Sequence, residues 1–364
     1  MKVLTVVGAR PQFVKAAAVS RPLRERHEEV LVHTGQHYDE ALSGVFFDEL
    51  GIPDPDYDLG VGSDSHGAQT AAMIRELEAV VEEEDPDVVL TYGDTNSTLA
   101  SAVVTSKLPI PLAHVEAGLR SFNRAMPEEV NRVLTDHASD LLFVPSAVGR
   151  DHLATEGVTE GVYVTGDVMY DALLAVRDRV PAPGDVFTDL SLEPGEYVLA
   201  TVHRARNTDS RERLLAIVDA LAATADPVVL PLHPRTADRL ESYGLYEHAA
   251  DALTLVDPQG YLDFLGLLAG ARALATDSGG AQKEACFLGT PCVTLREETE
   301  WTETVDAGWN VLVGADPAAI ERALLDPSAP AERADLYGNG DAAERIVDLL
   351  DAAVAPRRDP AAPS

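Results

Sequence analysis

Acids, histidines and glycines gather in this chain where apolar runs give out. The densest such point is Ala275-Thr276-Asp277-Ser278-Gly279-Gly280-Ala281-Gln282-Lys283-Glu284-Ala285. A buried strand over Ala271–Ala275 ends in a hydroxyl and two glycines, and an Ala-rich helix follows at once. Free backbone N–H groups at a helix start can hold a phosphate. Glycines let the backbone approach a ligand that a side chain would block. Lys283 adds a cation in the first turn, where the helix dipole disfavours it, which suggests an anionic partner. An ordinary tight turn with a serine cap has the same local pattern.

Other strand ends carry similar groups. The first runs into Gly8-Ala9-Arg10-Pro11, with Lys15 about one helical turn beyond. Arg10 as a fork and Lys15 as a point charge could grip a diphosphate. Tyr92-Gly93-Asp94-Thr95-Asn96-Ser97 ends a later strand, where Asp94 could serve as a helix cap. In His114-Val115-Glu116-Ala117-Gly118-Leu119-Arg120, capping explains Glu116 poorly, because Glu is a weak N-cap. Glu128 follows Pro127 in a helix start, where the dipole alone would account for it. Together Asp94, Glu116 and Glu128 form a candidate acid–base set. Further along, His203-Arg204 and His233-Pro234-Arg235 close two more strands. There is no GxGxxG after the first strand, no GxxxxGK[ST] and no GxSxG. No Cys/His spacing suggests a metal.

The elements that carry these groups alternate strand and helix. Candidate strands are Val3–Val7, Val30–Thr34, Val88–Tyr92, Pro111–Val115, Leu141–Val144 and Val162–Val164, then Tyr197–Thr201, Val228–Leu232, Leu253–Val256, Arg272–Ala275, Cys292–Leu295 and Val311–Val313. Amphipathic stretches such as Thr70–Glu84, Arg211–Ala223 and Tyr261–Ala269 lie between them. This alternation predicts two doubly wound parallel sheets covered on both faces, with ligands beyond the carboxyl ends of the strands. Pro and Gly crowd Val180–Asp185 and Leu192–Gly195, the natural link. Expected divisions are residues 1–180 with the acid–base carboxylates, residues 196–340 for nucleotide binding, a helix over 341–355 and a frayed tail over 356–364.

At 364 residues and 46% hydrophobic content, two well-buried cores are the default. No stretch approaches the ~20 apolar residues of a membrane span. The N-terminus lacks signal-peptide features, and Cys286 and Cys292 read as buried thiols in a reducing cytoplasm. A net charge of −33, from 61 acidic against 28 basic residues, argues against nucleic-acid or anionic-membrane partners. The acids are scattered over helix faces, as expected of a folded halophilic protein whose self-repulsion is screened by salt. Only Lys2, Lys15, Lys107 and Lys283 are lysines, so a cation kept inside a Gly/Pro turn points to a specific anion.

Taken together, these segments resemble the non-hydrolysing UDP-N-acetylglucosamine 2-epimerases over nearly the whole chain. His33-Thr34-Gly35-Gln36-His37-Tyr38 and Pro127-Glu128-Glu129-Val130-Asn131-Arg132 belong to the same ordered set of motifs. The resemblance implies a GT-B architecture, with two Rossmann-like domains, the substrate between them and no cofactor. It implies Asp94, Glu116 and Glu128 as proton-handling and cation-stabilising acids, with Lys15 near the reacting centre. His203 would assist departure of UDP. Arg10, His233, Ser278, Gly279 and Gly280 would bind UDP, with Glu284 on the ribose hydroxyls. Gln36, His37 and Gln69 match positions that contact a second, activating UDP-sugar in bacterial members. A cytoplasmic homodimer serving polysaccharide biosynthesis is the implied setting. Val202-His203-Arg204-Ala205-Arg206 and Thr299-Glu300-Trp301 depart from common family forms. The Glu-Trp form is more similar to the branch acting on UDP-2,3-diacetamido-2,3-dideoxyglucuronate, which leaves the sugar at C3 and C6 open. A GT-B glycosyltransferase, which would need an acceptor groove, and a non-catalytic nucleotide-sugar binder are the alternatives of another class.

Overall fold

The computed structural model describes residues 1–36, 50–186, 190, 192–330 and 335–354. By contact the chain divides into one unit of Met1–Ala175 with the segment from Asp335 onward, and a second of Val176–Ala334.

The first unit is built on seven parallel strands: β1 (Lys2–Val7), β2 (Glu28–His33), β3 (Tyr57–Asp58), β4 (Val88–Tyr92), β5 (Leu112–Val115), β6 (Leu141–Val144) and β7 (Val162–Val164). Their order is β3-β2-β1-β4-β5-β6-β7. The second unit holds β8 (Val198–Thr201), β9 (Val228–Pro231), β10 (Thr254–Val256), β11 (Ala273–Thr276), β12 (Cys292–Thr294) and β13 (Asn310–Leu312). Its order, β10-β9-β8-β11-β12-β13, repeats the same winding. Twelve of these strands match the apolar runs of the sequence to within a few residues. The short β3 was missed because two residues, neither fully buried, leave no periodicity to read.

The winding decides where chemistry can happen. Each sheet reverses direction between its first and fourth strands, β1 beside β4 and β8 beside β11. The loops beyond their carboxyl ends form the crevice where doubly wound sheets take ligands. Gly8-Ala9-Arg10 and Gly93-Asp94 leave the first pair, Val202-His203 and Asp277-Ser278 the second.

Close packing holds these loops in place. A Cβ at Gly8 would overlap the hydroxyls of Thr34 and Ser97, so glycine alone lets β1 turn into the helix Arg10–Arg26. The core of the first unit includes Val3, Val7, Leu31, Leu90 and Phe143, all essentially inaccessible. The returning helix Ala342–Ala353 buries Ile346, Val347 and Leu350 in that same core. Val198, Ala200, Ile217, Leu221 and Ile320 centre the second core. No helix among the described residues is long and apolar enough to cross a membrane.

Candidate active site

In the first unit, the helix Arg10–Arg26 after β1 and the turns after β4 and β5 bring Lys15 and Glu116 together. Both side chains are buried, and Lys15 Nζ donates to Glu116 Oε2. Glu116 sits at φ +73°, in the left-handed region that a non-glycine residue adopts only when its surroundings insist. Its carboxylate is thus no helix cap; the turn aims it at the lysine. Gly93, at φ +63°, completes the turn opposite, and a Cβ there would lie 3.1 Å from Lys15 Nζ and 3.5 Å from Glu116 Oε2.

Asp94 does not cap the following helix either. Thr95 is the cap of Asn96–Thr105, accepting from Thr98 N. The partly exposed Asp94 carboxylate accepts instead from Arg132 Nη2. Arg132 also donates to Glu129 Oε2 at 2.9 Å, and Glu129 in turn accepts from the backbone N–H groups of Ser121 and Phe122. Glu128, its neighbour, is half-buried in the first turn of Pro127–Ala138. The two adjacent glutamates therefore differ: Glu129 is locked into the scaffold, while Glu128 has no ion pair among the described residues. Arg10 opens its helix behind β1, half-buried.

Beneath these groups lies a buried network that sequence reasoning did not assign. His114 Nε2 lies 2.7 Å from Gly93 O, and its Nδ1 lies 2.8 Å from Asp136 Oδ1. Asp136 Oδ2 accepts from Gly118 N at 3.1 Å and from Arg120 Nη1 at 2.7 Å. Arg120 then forms a fork with Glu156, with bonds of 2.7 and 2.8 Å. Burial alone would raise the Asp136 carboxyl, but the bonds and charges of His114 and Arg120 outweigh it and hold the group below its usual range. Gln12 ties the same loops, accepting from Gly8 N and Ala9 N and donating to Tyr92 O and Thr98 Oγ1. Such residues were visible only as polar letters within apolar runs.

Gln36 and Gln69 meet the start of Asn96–Thr105. Gln36 Oε1 accepts from Ser97 N and Ser97 Oγ, and Gln69 Oε1 accepts from Asn96 Nδ2. His37 lies outside the described residues.

In the second unit, His203 and His233 leave neighbouring strands, and their rings lie tilted by 32° with centroids 5.2 Å apart. His233 caps the helix Pro234–Ser242, its Nδ1 accepting from Arg235 N. Ser278 caps Gly279–Leu288 through a 3.4 Å bond from Ala281 N. The turn is therefore a serine-capped helix start, with Ser278 N donating to Thr276 Oγ1 at 2.9 Å. Gly279 faces Glu300, Trp301 and Arg204, which a Cβ would approach to 3.4, 3.5 and 3.7 Å. Lys283 is wholly buried, its Nζ 3.9 Å from the Trp301 ring centroid, so this cation packs inside the unit rather than out at the turn. Glu284 is buried one residue further on. Among the described residues no group of three or more His, Cys, Asp or Glu side chains is arranged to hold a metal ion.

Two parallel sheets wound in the same order, each with its polar groups at the switch point, make this a GT-B protein of two Rossmann-like domains. A crystal structure of the Methanocaldococcus jannaschii UDP-GlcNAc 2-epimerase in complex with UDP-GlcNAc and UDP superimposes with a TM-score of 0.89 at 40% identity, covering 97% of this chain and all of the other. The Neisseria meningitidis enzyme bound to UDP-GlcNAc gives 0.86 at 30% identity, over 97% of this chain and all of that one. The chain belongs to the UDP-N-acetylglucosamine 2-epimerase family, whose model matches residues 21–351. Among relatives, a Methanococcus maripaludis UDP-N-acetylglucosamine 2-epimerase homolog is 48% identical over 96% of this chain and 99% of its own. The UDP-2,3-diacetamido-2,3-dideoxy-D-glucuronate 2-epimerase of Pseudomonas aeruginosa is equally 48% identical, with the same coverage.

Proposed function

We propose that this protein interconverts UDP-N-acetylglucosamine and UDP-N-acetylmannosamine by eliminating UDP and adding it back. C2 of the sugar has no adjacent carbonyl, so direct proton abstraction there is unfavourable. Elimination avoids this. The C1–O bond breaks, UDP leaves with the bonding pair, a carboxylate takes the C2 proton, and 2-acetamidoglucal remains. UDP then re-adds at C1 as a proton returns to the opposite face of C2.

This route asks for acid–base groups on both faces of C2, negative charge near the developing cation at C1, and a firm hold on a leaving group that must come back. The first unit offers Asp94, Glu116 and Glu128 for the former tasks, with Lys15 on Glu116. The second offers His203, His233 and the Ser278-Gly279-Gly280 helix start for the diphosphate, with Glu284 for the ribose. The buried Lys15–Glu116 pair, with Glu116 held in left-handed backbone, is the observation that carries the reading. A scaffold does not need a strained acid at a strand exit.

A second reading keeps the chemistry and changes the sugar to the 2,3-diacetamido uronate. The 48% identity to the Pseudomonas aeruginosa enzyme and the Thr299-Glu300-Trp301 segment favour it. Incubating each UDP-sugar with the protein and following C2 inversion by NMR decides between them. Inversion of UDP-N-acetylglucosamine supports the first reading, and inversion of the uronate alone supports the second. Inversion of neither, with tight UDP-sugar binding, would make the chain a binder.

A further inference from the structure

The Asp277 carboxylate, at the exit of β11, has no role in the chemistry so far described. It is completely buried. Its oxygens accept from His203 N at 3.0 and 3.1 Å, from Arg204 N at 3.0 Å and from Asn207 Nδ2 at 3.0 Å. Among the described residues no lysine or arginine pairs with it. Its ion-pair partner among the described residues is the His203 imidazole, whose Nδ1 is 3.8 Å from Oδ1.

Burying a carboxylate without a cation is costly. Neutral acceptors, such as an amide oxygen or a hydroxyl, could fasten the same loop without that cost. The charge itself therefore has a use, and the His203 ring is where it acts. From the proposed assignment of His203 to the departing UDP, on which this step rests, we infer that Asp277 is its positioning residue. It fixes the backbone there through the His203 N–H, shared between its two oxygens, and the Arg204 N–H. It also sets a carboxylate 3.8 Å from Nδ1, which favours the ring orientation that keeps this edge toward it. An imidazole held in one orientation can donate a hydrogen bond to the diphosphate, where charge collects as the C1–O bond breaks. Asp277 touches neither sugar nor UDP in this scheme.

The test is a double-mutant cycle of His203→Ala and Asp277→Asn, read as kcat and KM for the UDP-sugar that turns over, with the Kd for UDP measured by calorimetry. Asp277→Asn is expected to lower kcat roughly 10- to 100-fold, as removal of a group orienting a catalytic side chain does. The Kd for UDP should stay within about twofold, and the substitution should add almost nothing in the His203→Ala background. A full further loss in that background, or a UDP affinity that falls in step with kcat, would overturn the inference. An undiminished kcat for His203→Ala itself would instead overturn the reading of His203. If Asp277→Asn does not fold, Asn207→Ala removes one donor from the carboxylate and the same cycle is run with it. Non-additivity with His203→Ala again supports the inference, and additivity refutes it.

Discussion

Replacing Asp136 by Leu, which has nearly the same shape and no acceptor, should destabilise the first unit heavily. The carboxylate receives His114 Nδ1, Gly118 N and Arg120 Nη1, and neither Asp136, His114 nor Arg120 is appreciably exposed. Each buried donor left without an acceptor costs about 1–3 kcal/mol. Arg120 keeps Glu156 and Leu119 O, which places the sum at the low end. About 3–5 kcal/mol is then expected, the range for breaking a buried ion pair by removing one partner. For a unit of this size that lowers Tm by on the order of 10 °C. Asp136→Asn, which retains one acceptor, should lose roughly half as much. Differential scanning calorimetry at pH 7, in low and molar KCl, reads both. The difference from the unsubstituted protein should persist in molar salt, because buried pairs are poorly screened. It should shrink in acid. The folded Asp136 value lies below the unfolded one, so its contribution is complete above about pH 4 and is lost as pH falls through the folded value. A loss for Asp136→Leu under about 1 kcal/mol, or one abolished by salt, would refute the ion-pair reasoning.

Three other predictions bear on the site and the surface. Asp94→Asn and Glu116→Gln should each lower turnover roughly 10²-fold or more while the far-ultraviolet circular dichroism is retained; near-full activity of either removes it from the acid–base set. Ser278→Ala should weaken UDP binding in calorimetry and cost about 1 kcal/mol of stability through the lost cap, and a bulky residue at Gly279 should block UDP. With a net charge of −33, thermal stability should rise between low and molar KCl, and equal stability at both would end the salt-adaptation idea.

Much of the fold was legible because its strands are short, apolar and separated by helical periodicity. That is how buried parallel strands such as β4 and β11, with every residue inaccessible, must read. The strand ends were legible for the same reason, since polar residues there interrupt apolar runs. What the sequence hid was partnership. Nothing in the letters tells Glu128 from Glu129, yet one stays half-exposed while the other bonds Arg132 and two backbone N–H groups. Asp94 read equally well as a cap until Thr95 took that place. Lys283 drew notice for its charge, but its burial against Trp301 depends on a segment 18 residues downstream in the chain. Such long-range pairings follow from the winding of the sheets, which local propensity does not encode.

The central claim, that UDP leaves and the C2 proton is exchanged before UDP returns, is tested most directly in D2O. The protein is incubated with UDP-N-acetylglucosamine and, separately, with the 2,3-diacetamido uronate, and C2 is followed by proton NMR. The inverted product of whichever sugar turns over should carry deuterium at C2. Inversion with the original proton still on C2 would contradict the claim.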